Sequence, residues 1–192
     1  MTEDQILIDA IKSGDERAFQ TLVQTHQGLI ANTCFGMLQN RADADDVTQE
    51  VFIEVFRSIH KFRGDSKLST WMYRIAVTRS IDLLRKRKRR SKVRRFQTFF
   101  GGEEVVRDIA DNRSSSAQEL LENEERAAIL AKAVAKLPDN QRIAFTLSKY
   151  EDLSYQKIAD VMNRSVPSVE SLLFRAKKNL KTLLTNYYLN NK

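Results

Sequence analysis

The sequence predicts an all-α protein made of two small helical domains joined by a flexible acidic linker. Three observations carry this. Apolar residues recur at three- and four-residue spacing along most of the 192-residue chain. No segment alternates in the manner of a strand. The helical period lapses once, in a stretch of glycines, serines and acids.

The elements follow in order. Ile6, Leu7, Ala10 and Ile11 make one apolar stripe, and Phe19, Leu22 and Val23 resume it after the break at Gly14–Asp15. Leu29 to Leu38 reads as a further apolar helix. "ADADDVTQEVFIEVFRSIHKF" is the next, with Val47, Val51, Val55, Ile59 and Phe62 along one side. Asp43, Asp45 and Asp46 crowd its start, where acids suit the positive end of the helix dipole. Gly64–Asp65 is a turn, and "STWMYRIAVTRSIDLLRKRKRR" is a helix that runs into a basic block. From about Arg94 the pattern fails, and "GGEEVVRDIADNRSSSAQE" has the composition of an extended linker. Periodicity returns from Leu120 to Leu137, where Pro138 stops the helix. "DNQRIAFTLSKYE", Leu153 to Met162, and a helix after Ser165 complete the chain. The expected boundaries are 1–93, 94–119 and 120–192.

Charge is distributed unevenly. The net charge of +7 divides into −3 over residues 1–84, +9 over 85–95, −6 over 96–125 and +7 over 126–192. Two basic blocks separated by an acidic stretch suggest two contacts with a polyanion. Cys34 is the single cysteine, so no internal disulfide forms, and its apolar neighbours favour a buried thiol. No apolar run approaches the ~20 residues that span a bilayer, and the N-terminus lacks a signal pattern, so a cytoplasmic protein without membrane insertion is expected.

The C-terminal helices fit a helix-turn-helix that begins at Tyr155. Small Ala159 falls where the two helices cross, and Asn163 takes the turn position that calls for positive φ. Ser165 suits the N-cap and Pro167 the first turn of the second helix. Val166, Val169, Leu172, Leu173, Ala176 and Leu180 hold that helix to its domain. Ser168, Ser171, Phe174, Arg175 and Lys178 form another face, suited to a major groove. An amphipathic helix with a merely solvated basic face gives the same pattern. Glu170 beside it opposes phosphate binding, although it can accept from a cytosine amino group or hold Arg175.

"FRGDSKLSTWMYRIAVTRSIDLLRKRKRR" combines a polar loop, Trp71 and arginines at helical spacing. Arginines track phosphates, and a flat aromatic stacks on an open base or wedges a strand junction. Trp71 as a plain core residue is the competing reading.

At these residues the chain resembles a bacterial RNA polymerase sigma factor of the extracytoplasmic-function (ECF) type, with the second and fourth conserved regions only. "DADDVTQEVFIEVF" resembles the helix that docks on polymerase. "FRGDSKLSTWMYRIAVTRSIDLLR" resembles the promoter-melting segment. "LPDNQRIAFTLSKYEDLSYQKIADVMNRSVPSVESLLFRAKKNL" resembles the fourth region, and the three follow in family order.

The resemblance implies that Asp46, Gln49, Glu50, Phe52 and Phe56 meet the β′ clamp helices of the core polymerase. Phe52 and Phe56 lie beside the valine stripe, so core positions are the competing reading for both, and for Phe52 an equal one. It implies that Ser66 and Lys67, in a loop from Gly64 to Ser69, capture a flipped base of the minus-ten element. Trp71 would then sit at the bubble's upstream edge, with Arg74, Thr78, Arg79 and Arg85 along the duplex. Met72 replaces a second aromatic of housekeeping members, which implies weaker melting. Ser168, Ser171, Phe174, Arg175 and Lys178 would meet the minus-thirty-five element. The implied partners are core polymerase (β′ clamp helices and β flap), double-stranded and melted promoter DNA, and an anti-sigma factor. No cofactor, catalytic residue or metal site is expected.

Two other classes compete. A self-contained helix-turn-helix regulator does not call for Trp71 in a melting loop. A nuclease would need Asp43, Asp45, Asp46 and Glu50 to converge on metal, yet dipole capping explains most of them. His26 and His60 show no ligand spacing with Cys34 or each other.

Overall fold

The computed structural model describes residues 3–98 and 117–190, and among them every regular element is helical. Helix α1 (Glu3–Lys12) ends near Gly14, whose φ of 92° few side chains tolerate. Asp15 then starts α2 (Glu16–Leu38), its carboxylate accepting from the Arg17 and Ala18 amides at 2.8 and 3.2 Å. The two apolar runs expected as separate, at Phe19–Val23 and Leu29–Leu38, lie on this one helix. Gly28 between them is exposed and a side chain there would touch nothing, so it marks no boundary.

Gln39, at φ 54°, ends α2, and Asn40 caps α3 (Arg41–Ser58) by accepting from the Asp43 amide at 3.0 Å. A short 3-10 turn (Ile59–Lys61) and a loop through Gly64 lead into α4 (Leu68–Thr98). The helix outlasts the apolar period that lapses near Arg94. Periodicity reports a buried face, whereas lysine and arginine propagate a helix without one. Helix α5 (Ala117–Ala135) likewise begins ahead of Leu120, and residues 99–116 of the expected linker lie outside the described residues.

Pro138 separates α5 from α6 (Asp139–Lys149). Buried Arg142 secures the junction from α6, donating to the Ala135 carbonyl and to the Leu137 carbonyl at 3.2 Å, so orphan acceptors at the end of α5 are satisfied. Helices α7 (Tyr155–Met162) and α8 (Val166–Asn190) complete the order.

The predicted stripe Val47, Val51, Val55, Ile59 and Phe62 is buried throughout. It meets Leu22, Ile30, Cys34 and Met37 of α2 and Leu68, Met72 and Ala76 of α4. Cys34 is fully enclosed, as its neighbours suggest, and burial pushes its thiol pKa up. The core continues across the expected domain boundary. Ile143, Ala144 and Leu147 of α6, Ile158, Ala159 and Val161 of α7, and Val169 and Leu173 of α8 belong to the same apolar cluster. A second cluster, formed by Ala133, Val134, Leu137, Phe145, Ala176 and Leu180, fixes α5 to α6 and α8.

Candidate nucleic-acid and polymerase interfaces

Three surfaces carry the residues singled out from the sequence. On α3, Asp46, Gln49 and Glu50 are exposed together. Phe56 is 56% exposed, its ring set edge-on against Phe19 with centroids 5.0 Å apart. Phe52 is only 8% exposed and lies in the core, so it is not on this open face. Ile53 replaces it there at 50% exposure. The signal for Ile53 was present: it stands three residues before Phe56 and four after Gln49, hence on their side of the helix. Behind the face, Arg79 of α4 pairs with Glu54 at 2.7 Å, and Arg87 pairs with Asp43. Asp45 pairs with Arg41 at 3.4 Å. Asp43 and Asp45 therefore have cation partners within the fold, and among the described residues no group of acids, histidines and cysteine converges as a metal set.

The second surface is the loop before α4 and the first turns of that helix. Ser66 is half-buried and Lys67 exposed. Trp71 is half-buried rather than open, tilted on Phe62 with centroids 5.1 Å apart. It shares an open trough with Arg74, Ile75, Thr78, Arg79 and Asp82. Met72 points fully into the core, so the position next to Trp71 offers no second wedge in this fold. Arg74 and Thr78 are exposed on one side of α4, with Arg85 two turns on. Arg79 departs from the expected row, because its guanidinium turns to Glu54 on α3. Arg74 is also engaged: Nε and Nη2 donate to the Asp160 carbonyl of α7 at 3.2 and 2.6 Å. Residues 85–90 of the basic block are all exposed, and Lys88 reaches Asp139 at 3.4 Å.

The third surface is the helix-turn-helix. Ser154 caps α7 by accepting from the Lys157 amide at 3.3 Å. Asn163 adopts φ 51° and ψ 55°, the left-handed turn its side chain tolerates, and the Arg164 amide closes back on the Ala159 carbonyl at 2.9 Å. Helix α8 then begins at Val166 with Pro167 in its first turn. Val169, Leu173, Ala176 and Leu180 are buried, while Val166 and Leu172 are half-buried. Opposite them Ser171, Phe174, Arg175 and Lys178 are exposed, Phe174 at 70%, and Ser168 is half-buried.

Sequence reasoning missed one further pair. The Tyr73 hydroxyl donates to the Glu151 carboxylate at 3.2 Å, between α4 and the loop ahead of α7. The two residues are 78 positions apart, beyond the reach of any periodicity argument.

A helix-turn-helix whose second helix has an exposed basic face, joined to a helical module with an exposed acid-and-aromatic face and a tryptophan beside arginines, makes a helix-turn-helix protein of two helical modules. The family model for sigma-70 region 2 matches residues 22–90, and that for sigma-70 region 4 matches residues 127–180. RNA polymerase sigma-H factor of Pseudomonas aeruginosa is 34% identical over 186 residues, covering 95% of this chain and 94% of that protein. ECF RNA polymerase sigma-E factor of Escherichia coli is 34% identical over 175 residues, covering 91% of each. Among solved structures, CnrH in complex with the cytosolic domain of CnrY aligns with a TM-score of 0.68 at 24% identity, over 95% of this chain and 97% of that one. The sigma factor RpoE from Bartonella quintana, in complex with the anti-sigma factor NepR, aligns with a TM-score of 0.61 at 19% identity, over 87% and 96%. These two likenesses concern the fold.

The chain belongs to the sigma-70 family, in its extracytoplasmic-function group. It is a sigma factor, which binds core RNA polymerase and promoter DNA and directs the enzyme to initiate transcription; it is not itself an enzyme. It acts on polymerase in the cell interior, and among the described residues no helix is long and apolar enough to cross a membrane.

Proposed function

We propose that residues 1–93 act as region 2, 94–119 as linker and 120–192 as region 4, with the contacts divided among the three surfaces. Asp46, Gln49, Glu50 and Phe56, joined by Ile53, dock on the β′ clamp helices. Phe52 supports that face from beneath. Ser66 and Lys67 take a base flipped from the minus-ten element, Trp71 braces the upstream edge of the bubble, and Arg74, Thr78 and Arg85 follow the phosphates. Arg79 contributes by fixing α4 to α3 through Glu54. Ser168, Ser171, Phe174, Arg175 and Lys178 of α8 read the minus-thirty-five element, while region 4 rests on the β flap. Opening the strands costs a few kcal/mol per flipped base, which polymerase binding and captured-base contacts offset.

The observation that supports this division is the coexistence in one chain of two separate surfaces that set an aromatic ring beside basic side chains. One is a tryptophan leaning half-open over an arginine row. The other is a recognition helix that leaves a phenylalanine 70% exposed beside Arg175 and Lys178. Neither fold stability nor a solvated basic face calls for that phenylalanine.

An anti-sigma factor as a further partner, and a cytoplasmic location, complete the reading; RpoE of Bartonella quintana was solved with its anti-sigma factor NepR. The test is run-off transcription with purified core polymerase on genomic fragments, with and without this chain. Chain-dependent transcripts that Trp71→Ala shortens in yield at the strand-opening step, read by permanganate reactivity, are expected. Normal opening by Trp71→Ala, together with normal promoter use by Arg175→Ala, would overturn the residue assignments.

A further inference from the structure

Helix α1 precedes residues 22–90, the span of the region 2 match, yet Ile8 and Ile11 build it into the same apolar core. Its polar residues Gln5 and Lys12 stand about two helical turns apart and therefore share one side. That side lies along the loop that leads from Phe62 into α4. Lys12 Nζ donates to the Phe62 carbonyl at 3.0 Å in a part-buried position, and a Cβ built on Gly64 would lie 3.9 Å from Gln5 Oε1. Gln5 is steadied in turn, its Nε2 donating to Asp9 at 3.0 Å.

Phe62 passes this hold to Trp71. Its amide donates to the Ile59 carbonyl at 3.1 Å, closing the 3-10 turn, and its buried ring leans on the indole with centroids 5.1 Å apart. The far end of the loop is tied to the same tryptophan, whose amide donates to the Lys67 carbonyl at 3.1 Å. Among the described residues no backbone hydrogen bond holds residues 63–66 between those ends, and no donor other than Lys12 reaches the Phe62 carbonyl. The loop therefore depends on α1 for its course.

We propose that Lys12 is a positioning residue for strand opening: by fixing the Phe62 carbonyl it sets the shape of the loop that carries Ser66 and Lys67, together with the tilt of Trp71. A loop already held in its binding shape loses less conformational freedom when a base enters it, so the hold appears as affinity for the opened strand. Lysine suits the task because its stem lies along apolar surface while the ammonium makes a charge-assisted bond to the carbonyl. A cation in the last turn of α1 also complements that helix's dipole, but dipole compensation calls for no particular carbonyl of another segment. The link to strand opening rests on the reading of this loop and Trp71 as the minus-ten contacts; the hold on Trp71 does not.

Trp71 is the single tryptophan of the chain, so its fluorescence reports this site alone. The first measurement is the emission maximum and acrylamide quenching of the full chain as wild type, Lys12→Met and Lys12→Arg, with circular dichroism to show that helicity is kept. The second is the affinity of the same chains, bound to core polymerase, for a fork-junction DNA that carries a single-stranded minus-ten element from a promoter found by run-off transcription. Lys12→Met should move the emission to longer wavelength and raise the quenching, and Lys12→Arg should restore both. Losing the bond should weaken fork binding by about 3- to 10-fold, the usual net worth of one hydrogen bond. The dependence of that binding on salt should keep its slope, because Lys12 neutralises no phosphate. If Lys12→Met loses helicity, Lys12→Gln, whose amide falls one bond short of the carbonyl, takes its place.

Wild-type emission and quenching in a helical Lys12→Met chain would overturn the proposal. So would a shifted emission with unchanged fork binding, or a shallower salt slope, which would make Lys12 a direct phosphate contact. The minus-ten reading fails separately, if Trp71→Ala and Lys67→Ala both bind the fork as tightly as wild type. In that event the fluorescence still decides whether Lys12 holds Trp71.

Discussion

Replacing Phe52 and Phe56 by alanine, one at a time, separates stability from polymerase binding on a single helix. The two rings are four residues apart, yet Phe52 is 8% exposed and Phe56 is 56% exposed. Truncating a buried phenylalanine removes its transfer energy and leaves a cavity, together about 3–5 kcal/mol. For Phe52→Ala this predicts a melting temperature lower by about 10 °C in a chain of this length. Less than half of Phe56 is buried, so its truncation should cost about 1–2 kcal/mol, including the edge contact with Phe19. The exposed remainder of Phe56 is what a polymerase surface can cover, worth about 1–2 kcal/mol or about 5- to 30-fold in Kd. Thermal denaturation and titration of labelled chain with core polymerase measure the two quantities. Equal destabilisation by the two variants, or Phe56→Ala binding core polymerase as tightly as wild type, would refute the partition of α3 into a core side and a docking side.

Further outcomes follow from the same geometry. Arg175→Ala should leave the melting temperature unchanged, because its side chain is exposed, and weaken binding to the cognate minus-thirty-five element by about 1–3 kcal/mol if it reads a base, measured by anisotropy at fixed salt. Asn163→Ala should destabilise the chain by about 1 kcal/mol, since φ 51° disfavours a Cβ without a local polar partner, whereas Asn163→Gly should be neutral or slightly stabilising in denaturant melts. Arg142→Ala should cost about 2–4 kcal/mol in urea unfolding, because the carbonyls of Ala135 and Leu137 lose their donor in a buried site. Arg142→Lys should recover little of this, having one terminal nitrogen where the guanidinium spreads several.

Local features of the fold were legible in the sequence because they are local in cause. The valine stripe of α3, the enclosed Cys34, and the Asn163 turn between α7 and α8 each depend on residues within one or two helical turns. Errors arose where the same local signal admits two structures. The runs Phe19–Val23 and Leu29–Leu38 read as two helices but lie on one continuous helix, with Gly28 on its exposed flank. The apolar pattern stopped before α4 did: the helix runs on to Thr98, through a basic block whose residues 85–90 are exposed. On the candidate surfaces the residue types were readable and their orientation was not: Phe52 turned inward, Ile53 outward, and Arg79 toward Glu54.

What the sequence by itself determined was the kind of element at each position, the two basic faces and the family to which the motifs belong, since spacing along a helix fixes which side chains share a side. Only the tertiary structure decided what each side meets. Arg74 reaches a carbonyl 86 residues away, Thr146 a carbonyl 110 residues away, and Tyr73 a carboxylate 78 residues away. Periodicity reveals that a face must be covered, and the cover is chosen by packing between segments that the chain order leaves unrelated.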